Sequence, residues 1–272
     1  MQSYFEGLAG KKDEEIRLAE AALHIAAEEY PEVKILSYLN LLQAWSAALS
    51  RDSTRKSPSQ QIQAINELMF KRMRFTGNVE NYYDPKNSFL NDVMDRRTGI
   101  PITLSAIYLE LAWSLGLDAV GIGFPGHFLV RVNTENHALY VDPFHKGNIM
   151  TVEGCKEFWE DLTEGESEFD ESFLWPVDKR QILSRMLRNL KGIYLEQKGY
   201  KKLVCILDMI ISLNPDSSEE IRDRGIIYYQ TEAFRFALKD FETFLSMSPD
   251  AEDAEVIRQY IEVLRDYSSR LN

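Results

Sequence analysis

Residues 123–144 run GFPGHFLVRVNTENHALYVDPF, placing His127 near the start of one strand-like segment and Asp142 at the end of the next. A histidine held by an aspartate is two-thirds of a hydrolytic triad, because the imidazole moves protons while the carboxylate fixes its tautomer. If the two segments pair as a hairpin around NTEN, with Val132 opposite His137, then Val130 faces Leu139, Phe128 faces Val141 and His127 faces Asp142. Opposed residues share one face of a sheet with Cβ atoms roughly 5 Å apart, so this register predicts imidazole beside carboxylate, with apolar side chains on the other face.

The third member of such a triad is a nucleophile, most effectively a thiol at the start of a buried helix, where the dipole lowers its pKa. The helix is predicted from GIPITLSAIY onward, but its opening carries only the hydroxyls of Thr103 and Ser105. Of the two cysteines, Cys155 falls in an acidic stretch and Cys205 within LVCILDMI, an apolar helix face that predicts a core thiol. Thr103 or Ser105 therefore stands as candidate nucleophile or water-positioning group, although a hydroxyl needs stronger activation than a thiol. The competing expectation is that His127 is a buried histidine satisfied by Asp142, with a structural or ligand-recognising role.

Two further sites compete with this one. Arg96 and Arg97, just before the buried helix, form a candidate anion or carboxylate site. The alternative is that they close the preceding helix and pair with Asp92 or Asp95. A metal centre drawn from His127, Asp142, His137 and His145 is not expected, because the assumed register turns His137 to the face opposite His127. No cofactor is expected either.

The elements that must position these residues are mostly helical. In DEEIRLAEAALHIAAEEY, Ile16, Ala19, Leu23 and Ala26 recur at helical spacing, and Pro31 stops that helix. A second helix is predicted near Val33–Leu49, and a third from Ser57–Pro58, a cap followed by proline, after the polar loop SRDSTRKSPSQ. SFLNDVMDRR predicts a short helix with Asn87 as its cap. The helix from Ile102 to Leu115 is apolar nearly all round and belongs in a core, and strands are predicted over Ala119–Phe124, His127–Val132 and Ala138–Asp142. Residues 153–171, with nine acidic residues and one lysine, are expected as a solvated connector, and Pro176 marks a boundary.

Beyond Pro176 the pattern is helical and repeats. Pro215 of LNP and Pro249 of MSP lie 34 residues apart, the tetratricopeptide period. The unit ending at Pro249 carries Gly225, Tyr228, Ala237 and Phe241 at the positions that define this repeat. The unit before it is degenerate, with Lys191 in the glycine place, and Ala254–Leu264 supplies a capping helix.

Composition narrows the function classes. A formal charge of −12, from 31 basic and 43 acidic residues, disfavours a phosphate-backbone binder, so no nucleic acid is expected. No apolar run reaches the length of about 20 residues that spans a membrane, so no membrane partner is expected. MQSYFEGLAGKKDEE lacks the pattern of a secretory signal, and two cysteines make no disulfide framework; both point to the cytoplasm.

NSFLNDVMDRRTGIPITLSAIYLELAWSLGL, followed by GIGFPGHFLVRV and YVDPF, resembles the transglutaminase-like core, and more narrowly the bacterial SirB family, which joins such a core to tetratricopeptide repeats. The resemblance implies a papain-like fold with a Cys-His-Asp triad, His127 and Asp142 taking two of its places. The cysteine place falls near Pro101 or Ile102. The expected architecture is α+β over residues 1–176, helices plus a transglutaminase-like core with a small antiparallel sheet, and an all-α repeat domain over 177–272. The expected function is non-catalytic binding of a protein or peptide through the repeats. The alternative is a hydrolase or acyltransferase acting on amide substrates with His127, Asp142 and a hydroxyl nucleophile.

Overall fold

The fold is that of a computed structural model describing residues 2–50, 56–135 and 137–271. Asn136 of the predicted NTEN loop, and part of the polar loop over 50–60, lie outside those residues. The chain divides into two units, Lys12–Met186, and Met1–Lys11 with Leu187–Asn272.

After α1 (Gln2–Glu6), the Lys12–Met186 unit starts with α2 (Leu18–Glu29), which ends before Pro31, where a proline must break the helix ladder. Then follow α3 (Ile35–Ser50) and α4 (Pro58–Asn66), the latter continuing as a wider π-type coil over Glu67–Arg72. Ser57 caps α4 as predicted: the Gln60 amide donates to the Ser57 hydroxyl at 3.4 Å, and the Ser57 amide donates to the Gln60 side chain at 3.0 Å. β1 (Thr76–Gly77) pairs in parallel with β2 (Thr98–Gly99), and between them lies α5 (Leu90–Arg96), ended by Arg97 in the left-handed region at φ 58°.

Asn87 is not the cap of α5, which starts after Phe89. It is fully buried, where an unpaired amide would be costly. Its side chain donates to the carbonyls of Asn81 and Tyr82 and accepts from Asn78, so it cross-links the preceding turn.

Helix α6 (Pro101–Ser114) is apolar on nearly every side and buried on nearly every side, from Pro101 through Ala112 except Glu110. It packs on β3 (Ala119–Ile122) and β4 (Leu129–Asn133), two strands of an antiparallel sheet that continues through β5 (Ala138–Asp142) and β6 (Asn148–Met150). The expected acidic connector is instead ordered and half apolar. Its acids hide aromatic residues at helical spacing, and α7 (Val152–Thr163) buries Cys155 and Trp159 against Ile122, Phe124, Leu129 and Tyr140. The sheet closes with β7 (Pro176–Val177), an edge strand on β3, where proline's missing N–H costs no ladder bond.

α8 (Lys179–Glu196) contains the division between the units. The other unit is helical: α9 (Tyr200–Leu213), α10 (Ser218–Gln230), α11 (Phe234–Met247) and α12 (Ala254–Leu271), with α1 packed on α9. The repeat positions lie where close packing needs them. A Cβ on Gly225 would stand 2.8 Å from the Phe241 ring, so only glycine lets α10 and α11 approach this closely; Ala237 and Phe241 are fully buried behind it. The Tyr228 ring lies tilted against Phe236 with centroids 5.3 Å apart, and the Pro249 carbonyl accepts from Arg258. Where the degenerate unit has Lys191, its ammonium pairs with Asp223 at 2.5 Å. Arg188 pairs with Glu220 one turn earlier, and Arg224 joins Asp208 of α9 to Asp240 of α11.

Glu220 is 3% exposed. Burial opposes its charge, but the Ser217 hydroxyl and Arg188 outweigh that and hold the carboxyl below the usual glutamate range. A depressed carboxyl stabilises the fold above its unfolded value, about pH 4.3, and that contribution fades as the pH falls through the folded value. Glu220→Gln should therefore cost about 1–3 kcal/mol in urea unfolding at pH 7. The gap to the parent should narrow at pH 3.5; an equal gap at both pH values would contradict the pairing.

Candidate functional site

The hairpin differs from the predicted register by two residues: Val130 pairs with Val141, Val132 with Leu139, and Asn133 with Ala138. β4 runs one residue past Val132 because Thr134 tightens the turn, its amide donating to the His137 carbonyl at 3.0 Å and its hydroxyl accepting from the His137 amide at 3.2 Å. A slip of two keeps every side chain on its face, whereas a slip of one would have reversed them all. His127 and Asp142 thus still share a face, on a diagonal, and the His127 Nε2 lies 2.9 Å from the Asp142 Oδ2.

His127 lies just before β4, in a turn closed by its own amide donating to the Phe124 carbonyl at 3.0 Å. Pro125 and Gly126 occupy the middle of that turn, with Gly126 at φ 69°, the positive-φ position that a type II turn gives to glycine. Arg185 of α8 pins the same corner. Its Nη2 donates to the carbonyls of His127 at 2.6 Å and Phe124 at 3.0 Å while the guanidinium lies over the Phe128 ring, and burial lowers its pKa.

Asp142 is 1% exposed, and each of its oxygens accepts two bonds. Oδ1 accepts from the amides of Phe144 at 2.9 Å and His145 at 3.2 Å, an Asx-type turn; Oδ2 accepts from His127 and, at 2.7 Å, from the His145 Nδ1. Burial opposes ionisation, but the two imidazole bonds and their charges prevail and hold the carboxyl well below the usual carboxylate range. The same bond raises the His145 pKa, against the opposing effect of burial. The two imidazoles stack with centroids 5.5 Å apart, walled by Phe144 and by Phe158 of α7.

Phe144, Phe158 and Arg185 were the residues the sequence left unassigned in this site, and His145 entered only in the metal set that was not expected. One signal was available: an aspartate accepting the amides two and three residues on brings residue 145 back over its own carboxylate. His137, by contrast, stays at the exposed hairpin turn with Thr134. One ligand-capable atom each from His127, Asp142 and His145 lie within 4.8 Å of one another.

The other candidates are dispersed. The Thr103 hydroxyl is fully buried, accepts from the Ile100 amide at 3.1 Å and lies 2.8 Å from the Asn87 carbonyl, to which it donates. Ser105, equally buried, donates to the Phe128 carbonyl at 3.5 Å. Arg96 pairs with Asp84 at 3.2 Å, and the Arg97 guanidinium lies over the Trp45 and Phe75 rings. Asp92 and Asp95 instead accept from the hydroxyls of Tyr30 and Tyr38, both at 2.6 Å. Cys155 is buried on α7, and burial, then the charge of Asp142, pushes its thiol up to about 12, so it is protonated at neutral pH. Cys205 lies half-buried on α9.

Residues 37–188 match the profile of the Transglutaminase-like superfamily, and residues 190–262 match that of the Tetratricopeptide repeat. The chain is similar to the UPF0162 protein of Xylella fastidiosa strain Temecula1, 34% identical over 261 residues that cover 94% of this chain and 93% of that one. The UPF0162 protein of Vibrio cholerae is 28% identical over 254 residues, 92% of this chain and 93% of its own. F-box only protein 21 of Homo sapiens is 30% identical over 182 residues, 63% of this chain and 28% of that protein. Among the described residues, no helix is long and apolar enough to cross a membrane.

Asp142→Asn keeps the shape but puts an NH2 donor where one carboxylate oxygen stood, facing either the two main-chain amides or the two imidazole donors. Chemical unfolding at pH 7 should show a loss of about 3–5 kcal/mol, the range for breaking a buried charge pair. A loss below about 1 kcal/mol would mean that the carboxylate does not anchor this corner.

Proposed function

We propose, from the premise that this chain belongs to the transglutaminase-like superfamily and carries tetratricopeptide repeats, that it is a protein-binding or regulatory protein whose repeats engage a protein or peptide. The observation that carries this reading is a cavity of about 190 Å³ on the repeat helices, lined by Leu195, Leu203, Leu207, Ile226 and Ile227, with Lys191 and Asp223 at its polar side. An apolar pocket with a few polar groups suits one large apolar side chain of an incoming segment, the anchor that contributes most in such recognition. Leu195 on its lining is 52% exposed.

In this reading the His127–Asp142 pair is a structural or recognition element rather than a working dyad. Support comes from the Thr103 and Ser105 hydroxyls, which turn to main-chain carbonyls, and from the protonated thiol of Cys155. The narrower kinship with the SirB family, the working division at 176/177 and a cytoplasmic setting belong to the same proposal. A net charge of −12 argues for a protein rather than a nucleic-acid partner.

The test is affinity capture with the intact chain, Leu195→Glu and His127→Ala. Leu195→Glu should abolish capture of the partners retained by the parent, while His127→Ala should keep them. The reverse pattern, together with measurable amide turnover by the parent, would favour the hydrolase or acyltransferase alternative.

A further inference from the structure

We propose that His127, Asp142 and His145 form a mononuclear binding site for a divalent first-row transition ion of the zinc type, with His127 Nε2, His145 Nδ1 and Asp142 Oδ2 as its ligands. The inference is independent of the repeat-binding reading and concerns the other unit of the chain.

Three observations carry it. The first is convergence. Two imidazole nitrogens address a single carboxylate oxygen, at 2.9 and 2.7 Å, and the three atoms lie within 4.8 Å of one another. Ligand atoms at about 2.0–2.2 Å from a common zinc-type ion stand roughly 3.3–3.6 Å apart in a tetrahedral shell, so the two nitrogen–oxygen separations fall short of its edges by roughly 0.4–0.9 Å, a gap that small ring shifts open when the ion replaces the two ring hydrogens. The second is support around the ligands. Oδ1 is tied down by the amides of Phe144 and His145, which aims Oδ2 at both rings, and Arg185 fixes the His127 carbonyl. Such outer contacts orient ligands in metal sites. The third is access. His127 and Asp142 are buried, but the His145 side chain is 52% exposed, so an ion can enter from its side and that ring can move inward to close the shell.

Two neutral imidazoles and a carboxylate suit a borderline divalent ion rather than calcium or magnesium, which prefer oxygen. Three protein ligands also leave positions open for water or another ligand. On binding, each ring nitrogen that now donates to Oδ2 offers its lone pair to the ion, the ring hydrogen moves to the other nitrogen, and nothing is oxidised or reduced. The orienting role expected of Asp142 needs only one imidazole; the second, His145, is what makes a ligand set.

The test uses the untagged full chain, stripped with a chelator and titrated with Co²⁺ by visible absorption and with Zn²⁺ by calorimetry. One equivalent should bind, with NMR signals of His127 and His145 shifting and those of His24 and His137 unchanged. His145→Ala should weaken binding at least tenfold, whereas His137→Ala should match the parent. Equal affinity in the parent and His145→Ala, no saturable binding, or shifts centred on His24 or His137 would each overturn the proposal.

Discussion

The corner of the sheet depends on one buried carboxylate. Taking Asp142 out of water costs several kcal/mol, and that cost is recovered only if its lone pairs are matched. Here four donors do so: two main-chain amides and two imidazoles. Those donors come from different parts of the chain, the turn before β4 and the turn after β5, so satisfying one side chain fixes both. The Pro-Gly turn before His127, the Arg185 bonds to Phe124 and His127, and the Phe144 and Phe158 walls follow from the need to hold those donors in place.

The repeat unit meets the same electrostatic problem differently. Its charges are spread between helices rather than gathered on one group. Arg188–Glu220 and Lys191–Asp223 join α8 to α10 at the same sequence separation, and Arg224 joins α9, α10 and α11. Gly225 lets two helices close on the Phe241 ring, and the degenerate unit replaces that close approach with the Lys191 ion pair. Each bond therefore serves a neighbouring pair of helices, as nearest-neighbour stacking requires.

Much of this was legible because it rests on periodicity. The all-apolar α6, the 34-residue repeat and the shared face of His127 and Asp142 follow from spacing, and the Ser57 cap from a serine set before a proline. The hairpin register was not legible, since a slip of two preserves every apolar match and Thr134 decides it locally. Counting charge in residues 153–171 hid the aromatic face of α7, because acids on an outer surface say nothing about the inner one. Asn87 misled for a related reason: asparagine before a helix is a good cap, but a fully buried amide must be satisfied on both its ends, and the loop 78–82 did that. His145 was set aside with the metal set because its place depends on a turn built by the very aspartate it joins.

That dependence bears on why a histidine and an aspartate stand together where the resemblance implies a thiol that this helix start lacks. Pro101 and Ile102 at that start bring no polar side-chain group that must be paired, and both side chains pack in the core. The carboxylate is different. Removing Asp142 would orphan two amides and two imidazoles at once, in a region where unpaired donors cost about 1–3 kcal/mol each. The His127–Asp142 pair is bound into the strand ends by those four donors, so the fold itself holds it in place whatever group stands at the helix start.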